Sequence, residues 1–136
     1  MDDVFASLRA QPENASSTGG LKYDRNKIRT DLLPVRPLLD VARVLTFGAR
    51  KYADRNWEKG IQWSRCYGAA LRHLFAWFMG ESKDPETGLS HLAHASCCIQ
   101  FLQEFELTHP ELDDRPIQKQ PSMSVSETKR LDDDNA

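Results

Sequence analysis

Apolar residues recur at steps of three and four positions in three separate segments of this chain. The first segment runs through Leu38, Val41, Leu45, Gly48 and Tyr52. Such spacing places the side chains on one face of an α-helix. The two-residue alternation that predicts a β-strand is weak throughout, and the segment KYDRNKIRTDLLP holds at most a short extended piece. The sequence therefore predicts an all-α domain.

The other two segments repeat this helical spacing. The apolar face predicted for the second helix consists of Tyr67, Leu71, Leu74, Phe75 and Phe78. The face predicted for the third consists of Leu92, Ala95, Ile99 and Leu102. Start and stop signals flank both helices: Ser64 and Ser90 are candidate N-caps, Gly80 follows the second helix, and Pro110 prevents continuation of the third.

The 136 residues suffice for one compact domain with a modest core. Polar composition predicts a disordered arm over residues 1–20 and a disordered acidic tail over 111–136, with the folded domain between them at 21–110. The first residues start acidic and lack a long apolar run, so they do not read as a secretory signal, and no segment is apolar enough to span a membrane. Three cysteines, two of them adjacent, favour reduced thiols and a cytoplasmic location.

Charge is distributed unevenly along the chain. Residues 21–110 contain 13 Lys and Arg against 10 Asp and Glu, a balance of +3, whereas the whole chain carries −2. A mildly basic domain suits a small anionic ligand at least as well as a nucleic-acid duplex, which usually needs a larger face of one charge. Nucleic acid is therefore the less favoured partner.

Candidate metal ligands concentrate in the segment GESKDPETGLSHLAHAS. Glu81 and Asp84 occupy a turn bounded by glycines, and His91 and His94 follow at the start of the third helix. A three-residue separation puts the two imidazoles one turn apart on one side of a helix. Carboxylate oxygens suit Mg²⁺ or Mn²⁺, and Mn²⁺ accepts imidazole more readily. The alternative is a solvated turn followed by histidines at the edge of a core.

Two further groups of polar residues have equally plain alternatives. Asp40 and Lys51 lie eleven positions apart on the first helix, so they share one line about 16 Å long and could serve opposite ends of an anionic ligand. Asn56 and Trp57, with a basic cluster that includes Lys22, could bind a base and phosphate. Alternatively, Asp40 and Lys51 could simply face solvent on the first helix, Trp57 could close the open end of a helical bundle, and the basic cluster could be a solvated arm.

The motifs KYDRNKIRTDLLP, LLDVARVLTFGARKYADRNWEKG and RHLFAWFMGESKDPETGLSHLAHA, in this order, resemble the phage-type dATP/dGTP pyrophosphohydrolases, a branch of the MazG-like all-α nucleotide pyrophosphatases. The resemblance covers residues 22–106. It implies metal-dependent hydrolysis of a purine deoxynucleoside triphosphate, dGTP or dATP, to the monophosphate and pyrophosphate. Related phage enzymes supply dGMP for 2-aminoadenine nucleotides. A phage-encoded member would act in the host cytoplasm.

The resemblance also implies roles for individual residues. Metal ligands would be Asp40, Glu81, Asp84 and His91, and the catalytic set would add His94 to the three carboxylates. Substrate contacts would come from Lys22, Lys51, Tyr52, Asn56, Trp57, Arg72 and His73. The first helix departs from the EExxE motif of MazG-like enzymes, because LDVAR keeps only the acid Asp40.

Assembly and two other functional classes complete the expectations. Three helices with wide apolar faces leave surface unburied in a monomer, and MazG-like bundles are completed by pairing subunits, so we expect a homodimer or a homotetramer. A non-catalytic helical adaptor would keep these faces without bringing the acids and histidines together. A small nucleic-acid-binding protein would bind with an affinity that falls steeply with salt.

Overall fold

The computed structural model describes residues 19–116, and the chain divides into two compact units with the boundary between Val35 and Arg36. In the first unit the backbone N–H of Lys27 donates to the carbonyl of Asp24 at 2.9 Å, which closes a turn. A 3-10 helix, Thr30–Leu32, follows. The segment that the sequence predicts to be at most partly extended therefore turns.

The second unit contains three α-helices among the described residues: α1 (Val35–Lys51, whose first residue ends the first unit), α2 (Trp63–Phe78) and α3 (His91–Thr108). Short 3-10 helices, Asn56–Lys59 and Pro110–Leu112, follow α1 and α3. The described residues contain no β-strand. The all-α prediction is confirmed, whereas completion of the bundle by a second subunit stays a prediction.

Of the two N-caps predicted from the sequence, the structure confirms one and contradicts the other. The hydroxyl of Ser90 accepts hydrogen bonds from the backbone N–H groups of Leu92 and Ala93, as an N-cap does. Ser64 is not a cap, because α2 already begins at Trp63. The Ser64 backbone N–H and hydroxyl instead both donate to the carboxylate of Asp114.

This last contact bears on the predicted domain boundary. Asp114 lies beyond residue 110, where the sequence analysis ends the folded domain, and Arg115 lies over the ring of Trp63 at 5.0 Å. The packed region therefore continues to at least Arg115. The rest of the predicted tail and most of the predicted N-terminal arm lie outside the described residues.

Helices α2 and α3 form an antiparallel pair. The indole N–H of Trp63, at the start of α2, donates to the carbonyl of His109 just after α3. At the other end, His73 of α2 contacts His91, the first residue of α3. The buried apolar residues along the two helices are mostly small: Cys66, Ala70, Ala93, Ala95 and Cys97. Small side chains let two helices approach closely, so they define the facing sides.

The predicted apolar faces of α2 and α3 are consequently wrong in part. Tyr67, Phe75 and Phe78 of α2 are exposed, the last to 84%. Ile99 of α3 is exposed as well, whereas His91 is buried to 3% exposure. The periodicity of the large apolar residues predicts faces that are only partly buried, with Leu71, Leu74 and Leu102 half-buried, because the close contact uses the small residues.

One end of the helix pair is closed by an aromatic cluster. Trp63, Cys66 and Phe105 are its buried centre. Trp57 packs against them and stacks on Phe101, with ring centroids 4.4 Å apart and an interplanar angle of 11°. The nearby Gly60 has φ +101°, and a Cβ there would lie 2.5 Å from Leu112 Cδ1. This corner therefore requires glycine.

The ring of His109 joins the same corner. Its Nε2 lies 2.8 Å from the carbonyl oxygen of Glu58, and its Nδ1 lies 2.7 Å from a carboxylate oxygen of Glu111. Both partners only accept, so both ring nitrogens donate when the ring is protonated. The Glu111 carboxylate, followed by the Glu58 carbonyl, raises the pKa of His109 above its usual value.

The three cysteines are free thiols, Cys66 and Cys97 buried and Cys98 half-buried. Burial raises the pKa of Cys97 to about 12 and that of Cys98 to about 11. Among the described residues, no helix is long and apolar enough to cross a membrane.

We predict that His109 makes the stability of the domain depend on pH. Its pKa is raised in the folded state, so the protonated ring stabilises the fold fully below about pH 6.5, the pKa of an unfolded histidine, and this contribution disappears as the pH rises through the raised value. The melting temperature of wild type should therefore fall between pH 6 and 9 relative to that of His109→Gln, which carries no titrating ring. Parallel curves for the two proteins would contradict the prediction.

Candidate metal and phosphate site

The turn between α2 and α3 brings together the polar side chains that the sequence places in one segment. The backbone N–H of Asp84 donates to the carbonyl of Leu89 at 2.8 Å, and the N–H of His91 donates to the carbonyl of Ser82 at 3.1 Å. Gly88, with φ +70°, closes the turn by donating to the carbonyl of Asp84 at 2.7 Å. These bonds fold residues 82–91 back on themselves, next to the end of α2.

Asp84 organises the turn with one carboxylate oxygen. Its Oδ1 accepts hydrogen bonds from the backbone N–H groups of Glu86 and Thr87, at 2.9 and 3.0 Å. Burial alone would raise the pKa of Asp84, but these two bonds outweigh it and hold the pKa below its usual range. The other oxygen, Oδ2, lies 3.9 Å from Nδ1 of His73. Asp84 is thus an ionised carboxylate with one oxygen toward a histidine.

Two imidazoles meet opposite this carboxylate. Nδ1 of His73 lies 2.9 Å from Nδ1 of His91, and Nε2 of His91 lies 2.7 Å from a carboxylate oxygen of Glu81. The carboxylate can only accept, so Nε2 of His91 carries a proton and, in the neutral ring, Nδ1 is an acceptor for His73. Burial, and secondarily the neighbouring His94, lower the pKa of His73 below its usual value.

His73, Asp84 and His91 could hold a metal ion. Their ligand atoms all lie within 4.8 Å of one another, and no other group of three His, Cys, Asp or Glu in the described part of the chain meets this condition. His73 and Asp84 are half-buried and His91 is buried. The family resemblance predicts Asp84 and His91 as ligands and His73 as a substrate contact, and the geometry adds His73 to the candidate ligands.

His94 and Thr87 support this cluster from one side. The His94 ring stacks on His73, with centroids 4.5 Å apart and an angle of 8° between the planes. Its Nε2 lies 2.8 Å from the hydroxyl of Thr87, which also accepts the backbone N–H of Leu89. Burial lowers the pKa of His94, so its ring is neutral near pH 7. Sequence reasoning missed Thr87, although an Asp-x-x-Thr turn commonly bonds to its own backbone.

Lys51 is also brought to this turn. Its ammonium lies 2.8 Å from the carboxylate of Glu86, two residues after Asp84, and this ion pair raises the pKa of Lys51. The Tyr52 ring lies 5.4 Å from the same ammonium and is largely exposed. Arg72 precedes His73 on α2 and is exposed. A cationic side chain therefore lies at the rim of the histidine and aspartate cluster.

Asp40 does not join the cluster. Its carboxylate pairs with Arg43 one turn further along α1, and it belongs to no ligand group in the described residues. Lys51 contacts the α2 to α3 turn, whereas Asp40 lies eleven residues earlier on α1, about 16 Å from Lys51 along the helix axis. The predicted metal set of Asp40, Glu81, Asp84 and His91 is therefore brought together only in its last three members, with Glu81 bonded to His91.

Two other predicted substrate contacts, Asn56 and Trp57, belong to a different part of the second unit. Trp57 is half-buried against Phe101 and serves the aromatic cluster. Asn56 begins the adjacent 3-10 helix and is half-buried. Lys22 is exposed in the first unit. The structure thus joins Lys51, Tyr52 and His73 to the site region and gives Trp57 a packing role.

Comparison with known proteins identifies relatives of this chain. Residues 17–115 match the family model described as the N-terminal part of dATP/dGTP diphosphohydrolase. A Salmonella phage PMBT28 protein, named dATP/dGTP diphosphohydrolase, is 36% identical over 96 residues, which are 71% of this chain and 33% of that protein. The chain therefore spans about a third of the length of this relative. No solved structure matches this chain.

We predict that the Thr87 hydroxyl stabilises the site before any ion binds. Thr87→Val keeps the shape of the side chain but leaves the N–H of Leu89 and the His94 ring without their partner, which should lower the free energy of unfolding by roughly 1 to 2 kcal/mol. Thr87→Ser retains the hydroxyl and should lose less. Urea titrations without added metal measure both variants, and equal stability of Thr87→Val and wild type would refute this role.

Proposed function

We propose that this chain, which belongs to the family of dATP/dGTP diphosphohydrolase N-terminal domains, acts in the hydrolysis of a purine deoxynucleoside triphosphate to the monophosphate and pyrophosphate. The observation that carries the proposal is the cluster of His73, Asp84 and His91 with Lys51 at its rim. We favour dGTP, with dATP as the other substrate. In a phage, such an activity would adjust the nucleotide pool and supply dGMP for 2-aminoadenine nucleotides.

The donor set fits the divalent ion that this reaction needs. Asp84 offers an ionised oxygen, and burial lowers the pKa of His73, which favours its neutral ring with a free nitrogen lone pair. His91 has its Nδ1 beside that of His73 and its Nε2 bonded to Glu81. We propose Mg²⁺ or Mn²⁺ as the cofactor of the reaction, held by His73, Asp84 and His91, and the two nitrogen ligands favour Mn²⁺. Such an ion neutralises phosphate charge and lowers the pKa of water. Glu81 would support the site through His91, and the proposed ligand set does not include Asp40, which pairs with Arg43.

Cationic side chains would orient the triphosphate next to the cluster. Lys51 pairs with Glu86 on the exposed rim of the turn, and an incoming phosphate can replace that carboxylate as its partner. Arg72, exposed on α2 beside His73, would make a second phosphate contact. Holding the phosphates in line with a water molecule accounts for much of the catalysis of phosphoryl transfer.

His94 is the side chain that we propose to accept the proton of the attacking water. Its ring is neutral near pH 7, because burial lowers its pKa, and a neutral imidazole can act as a general base. The hydrogen bond with Thr87 and the stacking on His73 hold the ring in place. Asn56 and Tyr52 would contact the base, while Lys22 of the first unit stays a sequence-based candidate.

The test is a panel of the four deoxynucleoside triphosphates with Mg²⁺ or Mn²⁺, with products separated by chromatography. We expect dGTP and dATP to yield monophosphate and pyrophosphate. Asp84→Asn, which keeps the size of the side chain but removes its charge, should lower turnover by roughly a hundredfold or more. Glu106→Gln, an exposed carboxylate far along α3, is the matched control and should retain turnover.

Two outcomes would contradict the proposed reaction. Formation of nucleoside and tripolyphosphate would indicate a triphosphohydrolase instead. Full turnover by Asp84→Asn would return Asp84 to the role of a turn-forming residue, which its bonds to Glu86 and Thr87 also serve.

We predict that the protein assembles as a homodimer or a homotetramer. Large apolar side chains are exposed on all three helices, including Leu38 on α1, Phe75 on α2 and Ile99 on α3, at 43%, 61% and 53%. Exposed apolar surface of this extent is typical of subunit interfaces. Light scattering at micromolar concentration should give at least twice the chain mass of 15.5 kDa. A monomer with full activity would be inconsistent with this assembly.

A further inference from the structure

The cluster of His73, Asp84 and His91 has the spacing of ligands around a single ion. Two ligand atoms about 2.1 Å from an ion lie about 3.0 Å apart at a right angle and about 3.4 Å apart at the tetrahedral angle. The two Nδ1 atoms are 2.9 Å apart, and Oδ2 of Asp84 lies 3.9 Å from Nδ1 of His73. All three ligand atoms lie within 4.8 Å of one another, so their separations approach those of ligands around one ion.

The ring nitrogen of His91 that faces away from the cluster, Nε2, has the kind of partner that metal-bound histidines have. A ligating imidazole usually donates its second N–H to a carboxylate, which fixes both the tautomer and the ring orientation. Here Nε2 of His91 faces Glu81 at 2.7 Å, and the lone pair of Nδ1 is directed to the interior of the cluster. His91 is buried to 3% exposure, so its ring has little freedom to turn away.

Hydrogen bonds outside the cluster also fix the orientation of Asp84. Its Oδ1 accepts the backbone N–H groups of Glu86 and Thr87, which leaves the orientation of Oδ2 toward His73 fixed by the turn. Ligand carboxylates in metal sites are commonly fixed through such hydrogen bonds. Each side of the cluster thus has a supporting contact outside it.

We propose that His73, Asp84 and His91 form a single-ion site that selects a first-row transition ion, such as Mn²⁺ or Zn²⁺, over Mg²⁺, with Glu81 as a positioning carboxylate outside the coordination sphere. Two imidazole nitrogens and one carboxylate oxygen suit these ions, whereas Mg²⁺ prefers oxygen ligands and retains its water. For its role in hydrolysis this inference rests on the proposed function, but the site itself requires only the residues that meet here.

Binding of the ion requires a defined rearrangement of one proton. The Nδ1 atoms of His73 and His91 lie 2.9 Å apart, so a hydrogen bond between them needs a proton on one of the two, whereas an ion needs the lone pairs of both. His91 already has its proton on Nε2, so only His73 has to change, from the Nδ1–H to the Nε2–H tautomer. The proton count of the neutral pair stays the same.

Cobalt titration of the metal-free protein tests the site without reference to activity. Co²⁺ bound by imidazole gives visible absorption that an oxygen-only site lacks, and calorimetry gives the stoichiometry. We expect one Co²⁺ per chain, displaced by an equal concentration of Zn²⁺ and retained in a tenfold excess of Mg²⁺. Displacement by Mg²⁺, or a spectrum without nitrogen ligands, would overturn the proposal, and neither result depends on a variant.

Variants separate ligands from the positioning residue. His91→Gln keeps an N–H for Glu81 but removes the ring nitrogen that faces His73, so Co²⁺ affinity should fall at least a hundredfold. His73→Ala, at a half-buried position, provides a second ligand variant should the first fail to fold. Glu81→Gln should lower affinity roughly 10- to 100-fold while keeping the absorption bands and one ion per chain. Glu106→Gln is the unaffected control.

The outcomes also distinguish this site from the proposed reaction. Loss of the absorption bands in Glu81→Gln would make Glu81 a ligand and refute its positioning role. Unchanged affinity in His91→Gln or His73→Ala would refute the site. Cobalt binding by a protein that hydrolyses no nucleotide would support the site and reject the function, whereas hydrolysis with Mg²⁺ and no cobalt binding would do the reverse.

Discussion

The close antiparallel contact of α2 and α3 is the constraint on which the rest of the second unit depends. Cys66, Ala70, Ala93, Ala95 and Cys97 allow the two helices to approach closely. His73 lies near the end of one helix and His91 at the start of the other. Their ring nitrogens meet at 2.9 Å only because the helix axes are held together along their length. A larger residue at Ala70 or Ala95 would therefore separate the histidines as well as disturb the packing.

The turn that connects the two helices adds the carboxylate of Asp84 to the two histidines and positions the start of α3. Ser90 starts α3 with a hydrogen-bonded cap, so His91 and His94 have fixed positions in its first turn. Asp84 is held by its own turn, and Glu86 links that turn to Lys51 at the end of α1. The same short segment thus terminates one helix, begins the next and gathers the charged groups. Residues 82–91 thus supply both the local backbone hydrogen bonds of the turn and two of the three candidate ligands, Asp84 and His91.

The sequence was sufficient to predict the parts of this arrangement that are local. Three helices, the Ser90 cap and the grouping of Asp84 with His91 follow from spacing and turn residues over short stretches of chain. The buried sides of α2 and α3 did not follow, because hydrophobicity favours Phe75 and Ile99 whereas close packing favours alanine and cysteine. The partnership of His73 with His91 spans 18 positions and depends on how two helices align, as does the separation of Asp40 from the cluster. Periodicity contains no information about either.

The buried cysteines have a consequence for how opening of this domain can be observed. Protonated thiols react slowly with alkylating reagents, and Cys97, with a pKa of about 12, is also shielded between the helices. Labelling at Cys97 therefore requires the contact between α2 and α3 to open, and the labelling rate reports how often it opens. An ion held by His73 and His91 would join the same two helices. Its binding would therefore slow the labelling of Cys97, although Cys97 is not one of its ligands.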